Sequence, residues 1–289
     1  MQSLRKLFLP ITIPIGFIQN HFKAMLFLLL LFLLFAPQSE NDLSSHNLQE
    51  IKLYGTIMNA SQIVAQINEA AQNDAIKGVL LSVDSPGGAV APSVEIAYAI
   101  KRLKAKKPVV AYAQGTMASG SYYSSIWANE IIANPGSMIG SIGVIMEGAD
   151  LSGIMQKIGI KTQTIQAGKY KKIGTPDRPW KDYEVNELNK VIQGTYDMFT
   201  RDVADARGLD IKKRDLYANA HIFTAQQALQ VGLIDKLGVA YDAKRRVEVL
   251  SGVKKPLWNK EDKFDKLIKK LTATTAVTLF TYFPNFVLK

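Results

Sequence analysis

Gly78-Val-Leu-Leu-Ser-Val83 is a continuous apolar run, too short for a buried helix, and it stops at Asp84-Ser-Pro-Gly-Gly88, a turn of small residues. An apolar run without polar alternation fits a strand covered on both faces, which requires a layer of helices on each side of a sheet. The flanking sequence repeats the alternation. Ile51 to Met58 is expected as a strand and Ser61 to Gln72 as a helix, with Ile63, Ile67 and Ala70/Ala71 on one face. A helix from about Ala91 to Lys104, a strand Pro108 to Ala113 and a helix Ala118 to Ala128 follow, then strands at Glu130 to Ala133 and Ser141 to Met146. Lys161 to Gln166 is expected as a further strand, and Ala167 to Lys181, with Pro176 and Pro179, as an irregular basic stretch. Tyr183 to Arg207 places Val185, Leu188, Ile192, Phe199 and Val203 at helical spacing and stops at Gly208. A shorter helix, Phe223 to Val231, ends at Gly232. The order describes an α/β domain with parallel strands.

A chain of 289 residues has room for one such domain of roughly 200–250 residues and a tail at each end. It divides into a cytoplasmic N-terminus and membrane anchor (1–37), a linker (38–49), a catalytic domain (50–245) and a basic, apolar C-terminal tail (246–289). Arg5, Lys6 and Lys23 precede the uncharged run Met25 to Ala36, which spans a bilayer core of about 20 residues only if extended backwards through Phe22 and His21. No A-x-A site follows it and Pro37 closes it, so an uncleaved anchor is expected. Basic residues before the run and Glu40, Asp42 and Glu50 after it orient the rest of the chain outside the cytoplasm. The net charge of +10 suits nucleic acid or an anionic membrane. Lysines beside apolar tails, without an interleaved basic and aromatic platform, favour the membrane. Lys263, Lys266, Lys269 and Lys270 precede the apolar stretch Leu271 to Leu288, which reads as a loose tail, a membrane-surface contact or a subunit contact.

The absence of cysteine excludes thiol nucleophiles, thiolate metal sites and disulfides. Chemistry therefore rests on the turns at the sheet edge, where open α/β sheets gather ligands. Gly87 and Gly88 let backbone N–H groups approach a ligand, either as oxyanion donors or as a plain helix-capping turn. In Gly115-Thr116-Met117-Ala118-Ser119-Gly120-Ser121, Ser119 is a candidate nucleophile or a helix cap, with Ser121, Ser124 and Ser125 as competitors, and Gly120 is a second oxyanion donor. A serine nucleophile needs a base. His21 and His46 lie in the anchor and linker, and His221 reads as a surface or core residue, which leaves lysine. At a pKa of about 10.4 only about one lysine in 2,500 is neutral at pH 7, and at about 8 about one in ten, so a lysine base must be buried. Lys171, in Gly168-Lys169-Tyr170-Lys171-Lys172, is the candidate, and the alternative is a solvated basic loop.

Five ordered landmarks resemble the signal peptide peptidase A (protease IV) serine peptidases in their short, single-domain form. They are Asp84 to Gly88, Met117 to Gly120 with Tyr122-Tyr123, Gly140 to Val144, Gly168-x-x-Lys171 and Phe223 to Asp235, within about residues 50 to 245. The resemblance implies a fold similar to ClpP and the crotonases, a β-β-α superhelix. It implies Ser119 as nucleophile, Lys171 as general base and then acid, Gly88 and Gly120 as oxyanion donors with Gly87 beside them, and no cofactor. It also implies a homo-oligomeric ring in which serine and lysine can come from neighbouring subunits. The implied substrates are remnant signal peptides and other apolar peptides, at the bacterial inner membrane with the catalytic domain on the periplasmic side. Three departures stand out: Ser121 replaces the usual glycine, Ala220-His221 the usual Gly-Arg, and Lys172 an aspartate or serine. Two alternatives follow, a catalytically silent scaffold or peptide-binding homologue, and crotonase-like acyl-thioester chemistry, against which the export signal argues.

Overall fold

A computed structural model describes residues 21–28 and 46–259. Residues 21–28 are helical, and no helix among the described residues is long and apolar enough to cross a membrane. The remainder of the expected anchor, residues 29–36, and the tail beyond 259 lie outside the described residues.

Residues 46–259 form a parallel sheet in the order β1-β2-β3-β4-β7, with β1 at Leu48–Tyr54, β2 at Gly78–Ser85, β3 at Val109–Ala118, β4 at Glu130–Ala133 and β7 at Lys236–Leu237. The continuous apolar run in β2 has the predicted cause. Val79, Leu81 and Val83 point into the larger core, with Ile67 and Ala70 of α1 (Ser61–Gln72) and Ile96, Ile100 and Leu103 of α2 (Val90–Lys104). Leu80 points the other way, towards Ala243 and Val247, and each side chain so buried contributes about 1.5–3 kcal/mol relative to exposure.

β3 is long enough to pair twice. Its first half lies beside β4, and Thr116–Ala118 lie beside β5 (Met138–Gly140), which pairs antiparallel with β6 (Ile222–Thr224). Next come α3 (Gly120–Ser125), α4 (Ser152–Lys157) and the 26-residue α5 (Asp182–Arg207). Helix α5 starts with Asp182 and Glu184 in its first turn and stops where Gly208 takes φ 65°.

Several expectations are corrected. Ser141 to Met146 is not a strand: Ser141 takes φ 49°, donates its N–H to His221 O at 2.7 Å, and turns the chain away, leaving Ile145 80% exposed. Lys161 to Gln166 is irregular and exposed. The helix expected from Phe223 starts at Ala225 (α6, Ala225–Gln230), because Ile222–Thr224 pair with β5 and Thr224 Oγ1 accepts Gln227 N at 3.3 Å as the cap. The domain also outruns its expected end. Helix α7 (Ala240–Ser251) buries Val247 under the sheet, Arg246 Nε sits 2.8 Å from both Glu130 oxygens, and Trp258 forms a bridge beside Leu48.

Candidate active site

The ends of β2 and β3 lie side by side, and their register slips between Val83 and Ser85 so that Ser85 pairs with Met117. The Asp84 carboxylate secures the slip by accepting Thr116 N–H at 2.9 Å. Beyond it the chain from β2 leans on Ile57, whose N–H donates to Gly87 O at 2.8 Å and whose carbonyl accepts Ala89 N–H at 2.7 Å. The N–H of the intervening Gly88 therefore faces away from Ile57 and has no partner among the described residues. A side chain is excluded there, since a Cβ on Gly88 would fall 2.2 Å from Ile57 O.

Ser119 follows β3 at φ 53°, ψ −124°, a conformation that costs a non-glycine residue on the order of 1–3 kcal/mol. It is over-determined by its neighbours: its N–H donates to Gly140 O at 2.8 Å and its carbonyl accepts Tyr123 N–H at 3.0 Å. Gly120, the first residue of α3, has an N–H with no intrahelical partner. The two turns touch, since a Cβ on Gly87 would lie 2.6 Å from Gly120 N and 2.8 Å from Ser119 Cβ. Ser121 bolts them together by accepting Ala118 N–H at 2.9 Å while its hydroxyl reaches Ser85 O at 2.7 Å.

A cavity of about 510 Å³ opens in front of Ser119, with Gly88 and Gly120 on the same wall and Val90, Val94, Tyr123, Ile192 and Phe199 making an apolar slot. The ring of Tyr123 meets Phe199 edge-on at 4.9 Å, and its hydroxyl donates to Asp202, which together with burial pushes the phenol pKa up. Four non-glycine residues take positive φ among those described: Ser119, Ser141, Asn219 and Ala220, and all four line this cavity. Asn219 and Ala220, at φ 56° and 57°, are the centre of a type I′ turn closed by His221 N–H on Ala218 O at 3.2 Å.

The structure brings Ser119, Gly87, Gly88 and Gly120 together and separates the competing serines. Ser121, Ser124 and Ser125 are fully buried, the last two bonded back to Gly120 O and Ser121 O at 2.8 Å. Gly87 does not serve as an oxyanion donor, because its N–H donates to Ser85 Oγ at 3.2 Å. Its glycine is required for the close approach. Lys171 is not brought in. It is exposed on an arm, residues 158–181, and does not line the cavity, whose lining holds no lysine, histidine or carboxylate. The burial expected of Lys171 is thus not supplied by this chain alone. Its neighbours on the arm have partners: Lys169 lies over the Tyr183 ring at 4.6 Å, and Lys172 pairs with Asp177 at 2.6 Å. His221 is exposed and also outside the lining.

Sequence reasoning missed the turn at Asn219-Ala220 and the wall from α5. An asparagine before a small residue is a type I′ signal, but only the hairpin-like approach of β6 to β5 gives it meaning.

A half-buried serine thus sits in a strained turn beside the N–H groups of Gly88 and Gly120 and an apolar slot, an arrangement that can hold an oxyanion next to a hydroxyl. Residues 101–254 match peptidase family S49, and residues 44–127 match the Clp protease family. A Methanocaldococcus jannaschii protein provisionally named a protease is 42% identical over 190 residues, covering 66% of this chain and 61% of that relative. An Enterococcus faecium protein provisionally named signal peptide peptidase SppA is 33% identical over 186 residues, 64% of this chain and 54% of its own length. Among solved structures, a ClpP1 mutant from Listeria monocytogenes covers 67% of this chain and 93% of its own at 16% identity, with a TM-score of 0.47, too low to argue from. The chain belongs to peptidase family S49, with signal peptide peptidase A among its relatives. It spans just over half to three fifths of the length of these two relatives.

Proposed function

We propose that the protein is a serine endopeptidase whose Ser119 is served by Lys171 from a second copy. The observation that carries the reading is Ser119 itself, held in a strained turn between the free N–H groups of Gly88 and Gly120. Ser119 Oγ attacks the scissile carbonyl and gives its proton to the neutral Lys171 amine, and the carbonyl oxygen becomes an oxyanion facing the two N–H groups. Collapse of the tetrahedral adduct breaks the C–N bond, and Lys171 returns the proton to the leaving amine. Water then hydrolyses the acyl-serine through the same base. The free amine is the active form, so turnover rises with pH across the acid limb.

A second copy is favoured because, among the described residues, the cavity lining carries no base and Lys171 is exposed without a side-chain partner. The same stretch exposes Ile145 by 80%, Ile154 by 61%, Ile158 by 63% and Ile165 fully, an apolar surface suited to burial between subunits. A ring on a ClpP- or crotonase-like β-β-α superhelix accommodates this exchange. The slot of Val90, Val94, Ile192 and Phe199 fits apolar peptides, among them signal-peptide remnants at a membrane. The uncharged run 25–36 would tether the domain on the extracytoplasmic side of a bacterial inner membrane.

The test is covalent labelling by a serine-reactive phosphonate together with turnover of an apolar peptide. Label on Ser119, lost in Ser119→Ala, and loss of turnover in both Ser119→Ala and Lys171→Ala are expected. An unlabelled Ser119 would identify a catalytically silent, peptide-binding homologue instead.

A further inference from the structure

Lys169, Lys171 and Lys172 are disposed in three different ways, and two carboxylates, Asp177 and Glu184, fix the segment that follows them. Asp177 accepts Lys172 Nζ, Thr162 Oγ1 and Thr175 Oγ1, each at 2.6 Å. One residue on, the Arg178 guanidinium forks onto Glu184 at 2.7 and 2.6 Å, and Glu184 also accepts Lys181 N–H at 2.9 Å. Glu184 is fully buried in the first turn of α5, so the fork ties the arm to the long helix. The carbonyl of Lys172 is gripped as well, by Thr175 Oγ1 at 3.2 Å and Arg178 Nη2 at 3.4 Å. Lys172 is thus fixed through its ammonium and its carbonyl, and Lys171 precedes it with its side chain unpaired.

We infer that Asp177 and the Arg178–Glu184 pair are positioning residues, a double clamp that fixes the backbone at Lys172 and thereby presents Lys171, and not its neighbours, as the base. The inference rests on the dyad reading above. An exposed arm loses conformational entropy with every residue that is ordered, and a base that must reach a serine in one geometry loses rate for each loose residue that carries it. The clamp makes that payment on folding instead of at each turnover. It also withdraws the Lys172 charge, since an ammonium paired to a carboxylate neither competes for the serine nor repels a proton arriving on Lys171. The Lys172 ammonium and the threonine hydroxyls hold the Asp177 carboxyl well below its usual range, and Arg178 takes Glu184 down to about 2, so both clamps stay charged at working pH.

The test uses the full chain with an apolar fluorogenic peptide, measuring kcat and KM separately. Asp177→Asn keeps the shape and one accepting oxygen, and removes the charge together with the second acceptor. It is expected to lower kcat on the order of tenfold, with KM within about twofold and the melting temperature within a few degrees of the parent. Lys172→Met is expected to do the same, and the double variant to be no worse than either single one, because both remove one interaction. Full kcat in Asp177→Asn and Lys172→Met, with Lys171→Ala inactive, overturns the clamp while leaving the dyad. Full turnover in Lys171→Ala overturns the dyad, and the clamp with it.

Discussion

Ser119 stands at the end of a 10-residue strand, between the buried Ala118 and Gly120, whereas Lys171 stands on an arm with no regular structure between Lys157 and Asp182. The serine is held by backbone hydrogen bonds and by contacts so close that only glycine fits at 87, 88 and 120. Lys171 has no ion pair among the described residues, and its arm is held by the Lys172–Asp177 and Arg178–Glu184 pairs. A sheet edge is rigid because its cooperative unit is the whole core, and it can therefore store strain at Ser119. An arm has only its own few bonds and takes its final geometry from what it docks against.

The strain is the first place to press. Replacing Ser119 by glycine removes the nucleophile and relaxes φ 53° at once, so turnover should vanish while stability rises by about 0.5–1 kcal/mol, read in a urea titration. A decrease in stability would mean that the turn is not strained. Next in size is Gly120→Ala, whose Cβ would fall 2.2 Å from Ser93 Oγ and push the oxyanion wall apart. The alanine keeps its N–H but shifts it with the turn, and kcat should fall by about tenfold to a hundredfold in protein that still folds by circular dichroism. Unchanged kcat there would mean that Ser93 turns aside and the wall stays in place. The smallest effect belongs to the hairpin opposite. Ala220 takes φ 57°, a conformation that favours glycine, so Ala220→Gly should stabilise by about 0.4–1 kcal/mol and leave kcat within about twofold, a shift of a few degrees in melting temperature.

The same two regions differ in how far the sequence announces them. The alternation at 78–118 was legible because burial on both faces leaves an apolar run that has no other use, but the strand expected to stop at Ala113 runs on to Ala118, because Thr116–Ala118 pair with β5. Helix α5 was legible in full, although its apolar stripe does two jobs: Phe199 and Val203 enter the core while Ile192 lines the cavity. Ser141 to Met146 misled, since an apolar run reads alike whether a sheet, a cavity or another subunit covers it. The selection among Ser119, Ser121, Ser124 and Ser125 depended on which hydroxyls find backbone carbonyls, a matter of three-dimensional register. For Lys169, Lys171 and Lys172 the deciding partners, Tyr183 and Asp177, lie several residues away, beyond what local spacing encodes.

The central claim, a serine on one copy and a lysine delivered by another, is tested most directly by mixing. Ser119→Ala and Lys171→Ala chains, each inactive alone, are co-assembled and assayed on the apolar peptide. The account predicts that activity returns, because a Lys171→Ala chain still offers Ser119 to the Lys171 of its Ser119→Ala neighbour. A mixture that forms hybrid assemblies and yet stays inactive would contradict it.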